Sequence, residues 1–173
     1  VVTKSLPRGG VDGTRVWDDP ATVETVDVER VRDAALPATA KTHNYLNGIL
    51  ARNDAGDADE AIMLDAHGRV TEGATSNVFF VDDGVLHTPS LDLDVLPGVT
   101  RWAVLELADT IGIPIEEGHY TPRDLRDADE LFLTNTTWEI RPVATYDDAT
   151  YATCKVGARL ARAIADEVEQ RHY

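Results

Sequence analysis

The chain has 173 residues, is 43% hydrophobic, and carries 31 acidic against 16 basic residues for a formal charge of −15. That length accommodates one domain with a real core, and the hydrophobic content excludes a disordered tail. The charge excludes nucleic acid as a partner, because a phosphate backbone would be repelled.

Taken in chain order, residues 7–20 (PRGGVDGTRVWDDP) are rich in Gly, Pro and Asp and predict a loop or linker. Thr22–Val31 alternates through Val23, Val26 and Val28 and predicts a strand. Tyr45, Leu46, Ile49 and Leu50 recur at helical spacing, so a helix is expected over Asn44–Arg52, stopped by NDAGDA. A short apolar run, Glu60–Asp65, leads through an Asp65–Gly68 turn back to Arg69–Thr71. Asn77–Val81 and Val85–His87 flank Asp82-Asp83-Gly84, a strong hairpin signal. Pro97-Gly98 opens an amphipathic helix over Thr100–Ile111 that ends at Gly112. A strand over Ile113–Tyr120 follows, then a short helix with Thr121 as N-cap and Pro122 at its first position. Glu130–Thr134 and Glu139–Tyr146 read as strands, and Lys155–Gln170 as a closing helix. The class is α/β, or mixed α+β.

The acid is spread along the chain as a solvated face, with 20 Asp against 11 Glu and only three lysines. That bias resembles adaptation to high salt, where screening relieves self-repulsion; an ordinary acidic cytosolic protein is the alternative. A single cysteine, Cys154, allows no internal disulfide. With no signal peptide and no apolar run long enough to span a bilayer, the chain reads as cytoplasmic. The five histidines, at positions 43, 67, 87, 119 and 172, lack paired ligand spacing, so no metal is expected.

In a chain this poor in lysine, Lys41 directly precedes a predicted helix. A lysine amine condenses with an aldehyde, whereas a delocalised, always protonated guanidinium does not. A pyridoxal phosphate site built on such an amine needs an acid for the pyridine nitrogen, donors for the phosphate and a hydrogen bond for the ring hydroxyl. Glu72 stands in a Gly-containing turn between strands. Leu96-Pro-Gly-Val-Thr100 opens a helix, whose free amides suit an anion. Thr134–Thr137 supplies hydroxyls after a buried strand, and Tyr45 follows Lys41 by four residues, on the same face if the helix begins early.

The motifs KTHNYLNGILA, DEAIMLDAHGRVTEGATSNVFFV, DGVLHTP, LPGVTR and ADELFLTNTTWEIRPV, in that order, cover about residues 36–146. As an ordered set they resemble the class IV, fold-type IV pyridoxal-phosphate family: branched-chain and D-amino-acid aminotransferases and 4-amino-4-deoxychorismate lyase. The resemblance implies the C-terminal large domain of that fold, mixed sheets forming a pseudo-barrel flanked by helices. It implies that Lys41 bonds the cofactor and shuttles the proton, and that Glu72 pairs with the pyridine nitrogen. By the same resemblance, Tyr45 lies at the ring hydroxyl and Leu96 on the ring face. Val99, Thr100 and Thr136 hold the phosphate, and Thr137 and Arg8 meet the substrate carboxylate.

Family members carry a small domain ahead of this one. Residues 1–20 are therefore expected to be an interdomain linker or the end of that domain, and residues 21–173 the cofactor-binding domain. The chain taken alone is expected to bind the cofactor weakly or not at all, and to be inactive. The spacing from Lys41 to Tyr45 and the Thr75-Ser76-Asn77 sequence lean toward the D-amino-acid aminotransferase or lyase side, while TNTTWEI is more transferase-like. The implied reaction is amino transfer between an amino acid and a 2-oxo acid. The alternatives are the lyase, which takes aminodeoxychorismate and releases pyruvate to give 4-aminobenzoate, and a non-catalytic module. A homodimer is the assembly the resemblance implies.

Overall fold

The computed structural model describes Trp17 and residues 19–172. In chain order its elements are β1 (Ala21–Thr25), α1 (Leu46–Asp54), β2 (Glu60–Leu64), β3 (Val70–Gly73), β4 (Asn77–Asp82), β5 (Val85–Pro89), α2 (Val99–Thr110), β6 (Ile115–Gly118), α3 (Pro122–Asp127), β7 (Glu130–Asn135), β8 (Glu139–Tyr146), β9 (Ala149–Thr150) and α4 (Lys155–His172). The strands form one mixed sheet in the order β3-β2-β1-β8-β7-β4-β5-β6, with β9 paired to β8. β1 runs parallel to both β2 and β8, and β5 parallel to β6. The remaining pairs are antiparallel.

Period-two alternation decides what each face of this sheet covers. Along β4, Val78 and Phe80 point into one cluster with Leu131 and Leu133 of β7, Ile62 of β2, Val23 of β1 and Val143 and Tyr146 of β8. The intervening Phe79, Val81 and Phe132 point the other way, where Val104 and Ala108 of α2 and Leu160 and Ile164 of α4 cover them. A sheet with a core on both faces reads as continuous apolar runs, which is why VFFV and LFL are unbroken. The inner core is shared by strands from both ends of the strand order. Val70 at one edge donates its N–H to the Tyr120 carbonyl (2.8 Å), just beyond β6 at the other. The sheet is thus curled into a half-barrel flanked by helices, which is the mixed α/β architecture expected.

Local chemistry accounts for the element ends. Asp83 and Gly84 both adopt positive φ, 46° and 77°, as a tight hairpin turn requires. At α3 the Asp124 carboxylate accepts bonds from the Thr121 N–H (2.6 Å) and hydroxyl (2.8 Å), so the expected cap is present. The buried Glu130 carboxylate accepts the N–H groups of Lys155, Val156 and Gly157 and ties the start of α4 to β7.

Two expectations need correction. The strand predicted to Val31 ends at Thr25; beyond it only the Val26 and Arg30 N–H groups reach β2, at the carbonyls of Ile62 and Leu64. The helix predicted from Asn44 begins at Leu46, leaving Lys41 and Tyr45 on the loop ahead of it. β9 was not foreseen, being two residues long and lacking a periodic signal.

Candidate active site

One end of the half-barrel opens into a cavity of about 590 Å³. Its wall is made by the loop carrying Lys41 and Tyr45, the inner side of α1, the turn from β3 to β4, the start of α2 and the end of β7. Lys41, Tyr45, Glu72, Leu96, Val99, Thr100 and Thr136 all line it. Residues separated by up to 95 positions in sequence therefore meet at one surface. Thr137 is on the same turn as Thr136 but outside the lining, its N–H and hydroxyl both bonded to Asn135 Oδ1 at 3.0 Å. Arg8 lies outside the described residues.

Glu72 is the most constrained group in the wall. Its side chain is 9% exposed, and Oε1 receives Arg30 Nε at 2.9 Å. Oε2 accepts the Leu96 N–H at 2.9 Å and lies 3.4 Å from Asn77 Nδ2. Asn77 Nδ2 also donates to the Leu96 carbonyl at 2.9 Å, locking the LPG loop to the acid. Burial pushes the Glu72 pKa upward; Arg30, the Leu96 N–H and the charge of Lys41 pull it back, and burial wins. A carboxylate has about four acceptor positions, so these three donors leave room for one more inside the cavity.

The turn that follows Glu72 is held by a second buried acid. Glu60 accepts the Thr75 N–H (3.1 Å), the Thr75 hydroxyl (2.6 Å) and the Ser76 hydroxyl (2.9 Å). Gly98, the N-cap of α2, must lack a side chain, because a Cβ there would overlap the Asn77 side-chain oxygen. The first-turn N–H groups of α2 are left open, at the positive end of a 12-residue helix with no acid in its first turn. Lys41 is exposed, with Nζ 5.7 Å from the centre of the Tyr45 ring. The adjacency of this pair comes from the loop, and not from a shared helix face.

The donor set fits pyridoxal phosphate. There is one amine, one buried carboxylate with a free acceptor position, and an open helix N-terminus beside hydroxyls. The Thr134 Oγ1 in the same wall is buried and finds no partner among the described residues. The volume falls within the range of about 300–1,000 Å³ that small-molecule sites occupy. Among the described residues no group of three or more His, Cys, Asp or Glu is arranged to hold a metal, and no helix is long and apolar enough to cross a membrane.

Residues 5–146 match the amino-transferase class IV family. The chain belongs to that family. It is 41% identical over 138 residues to the D-alanine aminotransferase of Listeria monocytogenes, covering 77% of this chain and 47% of that protein. It is 35% identical over 150 residues to the branched-chain-amino-acid aminotransferase of Salmonella typhimurium, covering 85% and 48%. The solved branched-chain aminotransferase of Thermoproteus uzoniensis with norvaline superposes with a TM-score of 0.85 at 36% identity, covering 89% of this chain and 53% of that one. This class IV chain thus spans about half the length of the curated relatives it matches.

Arg30, Asn77 and Glu60 escaped the sequence reading. Arg30 stands 42 residues from Glu72 in a stretch that read as strand, and Glu60 lay within an apolar run. A carboxylate at the start of that run was the one visible signal for Glu60.

The raised Glu72 pKa fixes a sign. The folded chain keeps the Glu72 proton above the ordinary Glu value of 4.5, at which the unfolded chain releases it. The stability this gives is full below that value and is lost as pH rises through the folded-state pKa. Urea unfolding of wild type and Glu72→Gln from pH 4.5 upward should show the wild type losing stability relative to the variant. A pH-independent difference between the two would contradict the assignment.

Proposed function

We propose that the protein is a pyridoxal-phosphate-dependent class IV aminotransferase, moving an amino group between an amino acid and a 2-oxo acid. One observation carries the reading: the Lys41 amine, the buried Glu72 carboxylate and the open N-terminal amides of α2 line a single cavity. The aminotransferase names of the relatives support it over the lyase. In the same reading residues 21–173 form the cofactor-binding part of the protein, residues 1–20 lead into it, and the compartment is the cytoplasm.

When bound, the cofactor supplies an electron sink for the pair left on the substrate carbon as its proton departs. Lys41 Nζ would be the residue that holds the cofactor, and it would take the substrate α-proton and return it. Glu72 would keep a proton at the ring nitrogen through its remaining acceptor position, whose direction Arg30 and the Leu96 N–H fix. Leu96 would pack on the ring. Val99 and Thr100 would offer amides, and Thr136 its hydroxyl, to the phosphate. Tyr45 would meet the ring oxygen. Thr137 and Arg8 are assigned to the substrate carboxylate.

We also infer a homodimer. Tyr45, Ile49 and Val99 at the cavity, with Leu46, Leu50 and Trp102 on the same loop and helices, are 49–77% exposed. A group of large exposed apolar side chains of this kind marks a protein interaction site.

The chain's three lysines make the central assignment easy to test. Borohydride reduction of the protein with pyridoxal phosphate should label the peptide bearing Lys41, and Lys41→Ala should carry no label. A label on Lys4 or Lys155 alone, or one that survives Lys41→Ala, would refute the role. For the assembly, light scattering at micromolar concentration should give twice the 18.9 kDa chain mass, and a monomer there would count against the dimer.

A further inference from the structure

The backbone of His43 has φ 60°, in the left-handed region that side chains other than Asn, Asp and His seldom adopt. Its ring Nδ1 lies 2.8 Å from the Tyr45 hydroxyl. The two rings meet edge to face, with centroids 5.6 Å apart and planes at 89°. The Lys41 Nζ stands 5.7 Å from the same phenol ring. An imidazole, a phenol and an amine from five consecutive residues thus form one cluster in the cavity wall, which Arg30, Arg52 and Glu72 also line. The left-handed turn at His43 lies two residues before Tyr45, whose phenol its ring meets.

The bond between His43 and Tyr45 has two senses. A neutral imidazole has one donor and one acceptor nitrogen. With Nδ1 as acceptor, the phenol proton is committed to His43, and the Tyr45 oxygen can only accept a bond from the cavity. Once His43 gains a proton, Nδ1–H donates to the Tyr45 oxygen, and the phenol proton is released to point into the cavity.

We propose that His43 is a positioning residue for Tyr45: it fixes the phenol beside the Lys41 amine, and its own protonation sets whether Tyr45 donates or accepts a hydrogen bond toward the ring oxygen of a bound ligand. The proposal rests on the reading of the cavity as a cofactor site. A ligand with an anionic ring oxygen, such as pyridoxal phosphate, is held best when His43 is charged, and by linkage its binding raises the proton affinity of His43. Lys41, Arg30, Arg52 and Glu72 are the charged or titratable groups that share the cavity wall with His43.

The test has two arms. In the ligand-free protein, nitrogen NMR of the His43 ring, assigned by its loss in His43→Leu, should show Nδ1 unprotonated in the neutral form. Tyr45→Phe should move both the His43 titration midpoint and the tautomer balance. A His43 titration that Tyr45→Phe leaves untouched would overturn the pairing. In the second arm, pyridoxal phosphate affinity is measured for wild type and His43→Gln between about pH 5 and 8. Gln keeps a hydrogen-bonding group but does not titrate. The wild-type advantage should be several-fold at the acid end and shrink as pH rises, whereas a constant ratio would overturn the switching role. If wild type takes up no pyridoxal phosphate, that outcome matches the weak binding expected of the chain alone, and the ligand-free NMR still decides the His43–Tyr45 pair.

Discussion

A carboxylate held almost out of water is the constraint around which this molecule is arranged. Placing an ion in a protein interior costs several kcal/mol unless donors replace the lost water. Glu72 meets that demand in part, with donors from three separate segments: Arg30 from the stretch after β1, Leu96 from the loop before α2, and Asn77 from the start of β4. Each donor draws its segment to one point. The walls of the cavity are therefore positioned by the needs of one acid, and the same acid is left with an acceptor position facing inward.

A second tier makes the convergence rigid. Glu60, fully buried on β2, holds the turn after Glu72 by three bonds and keeps the end of β3 in line with β4. Helix α1 approaches this turn so closely that a Cβ on Gly48 would overlap the Ala74 carbonyl oxygen. The inner face of α1, the turn and the first residues of α2 are thus fixed relative to each other before any ligand arrives. Binding then requires little ordering of the walls, the condition for a preorganised site. The loop bearing Lys41 is the more exposed part of the wall.

Much of this was legible in the sequence where local rules decide. The β4–β5 hairpin followed from an Asp-Gly turn between apolar runs, and its two positive-φ residues are at that turn. Helix α2 and the α3 cap followed from periodicity and from Thr121-Pro122. The ordered motifs gave the family and the residues to examine. What stayed hidden was long-range and electrostatic. Arg30 and Glu72 are paired across 42 residues, and no periodicity marks an ion pair between loops. The contact of Lys41 with Tyr45 was expected from helical spacing, but a left-handed turn at His43 achieves it. Strand β1 stops early because beyond Thr25 the chain leaves β8 and keeps only two bonds to β2.

The most direct measurement is a crystal structure of the protein grown with pyridoxal 5′-phosphate. The account predicts continuous density from Lys41 Nζ to the cofactor, the ring nitrogen within hydrogen-bond distance of the Glu72 carboxylate, and the phosphate against the Val99 and Thr100 amides. A cofactor bound elsewhere, or bound in this cavity with its ring nitrogen turned away from Glu72, would contradict it.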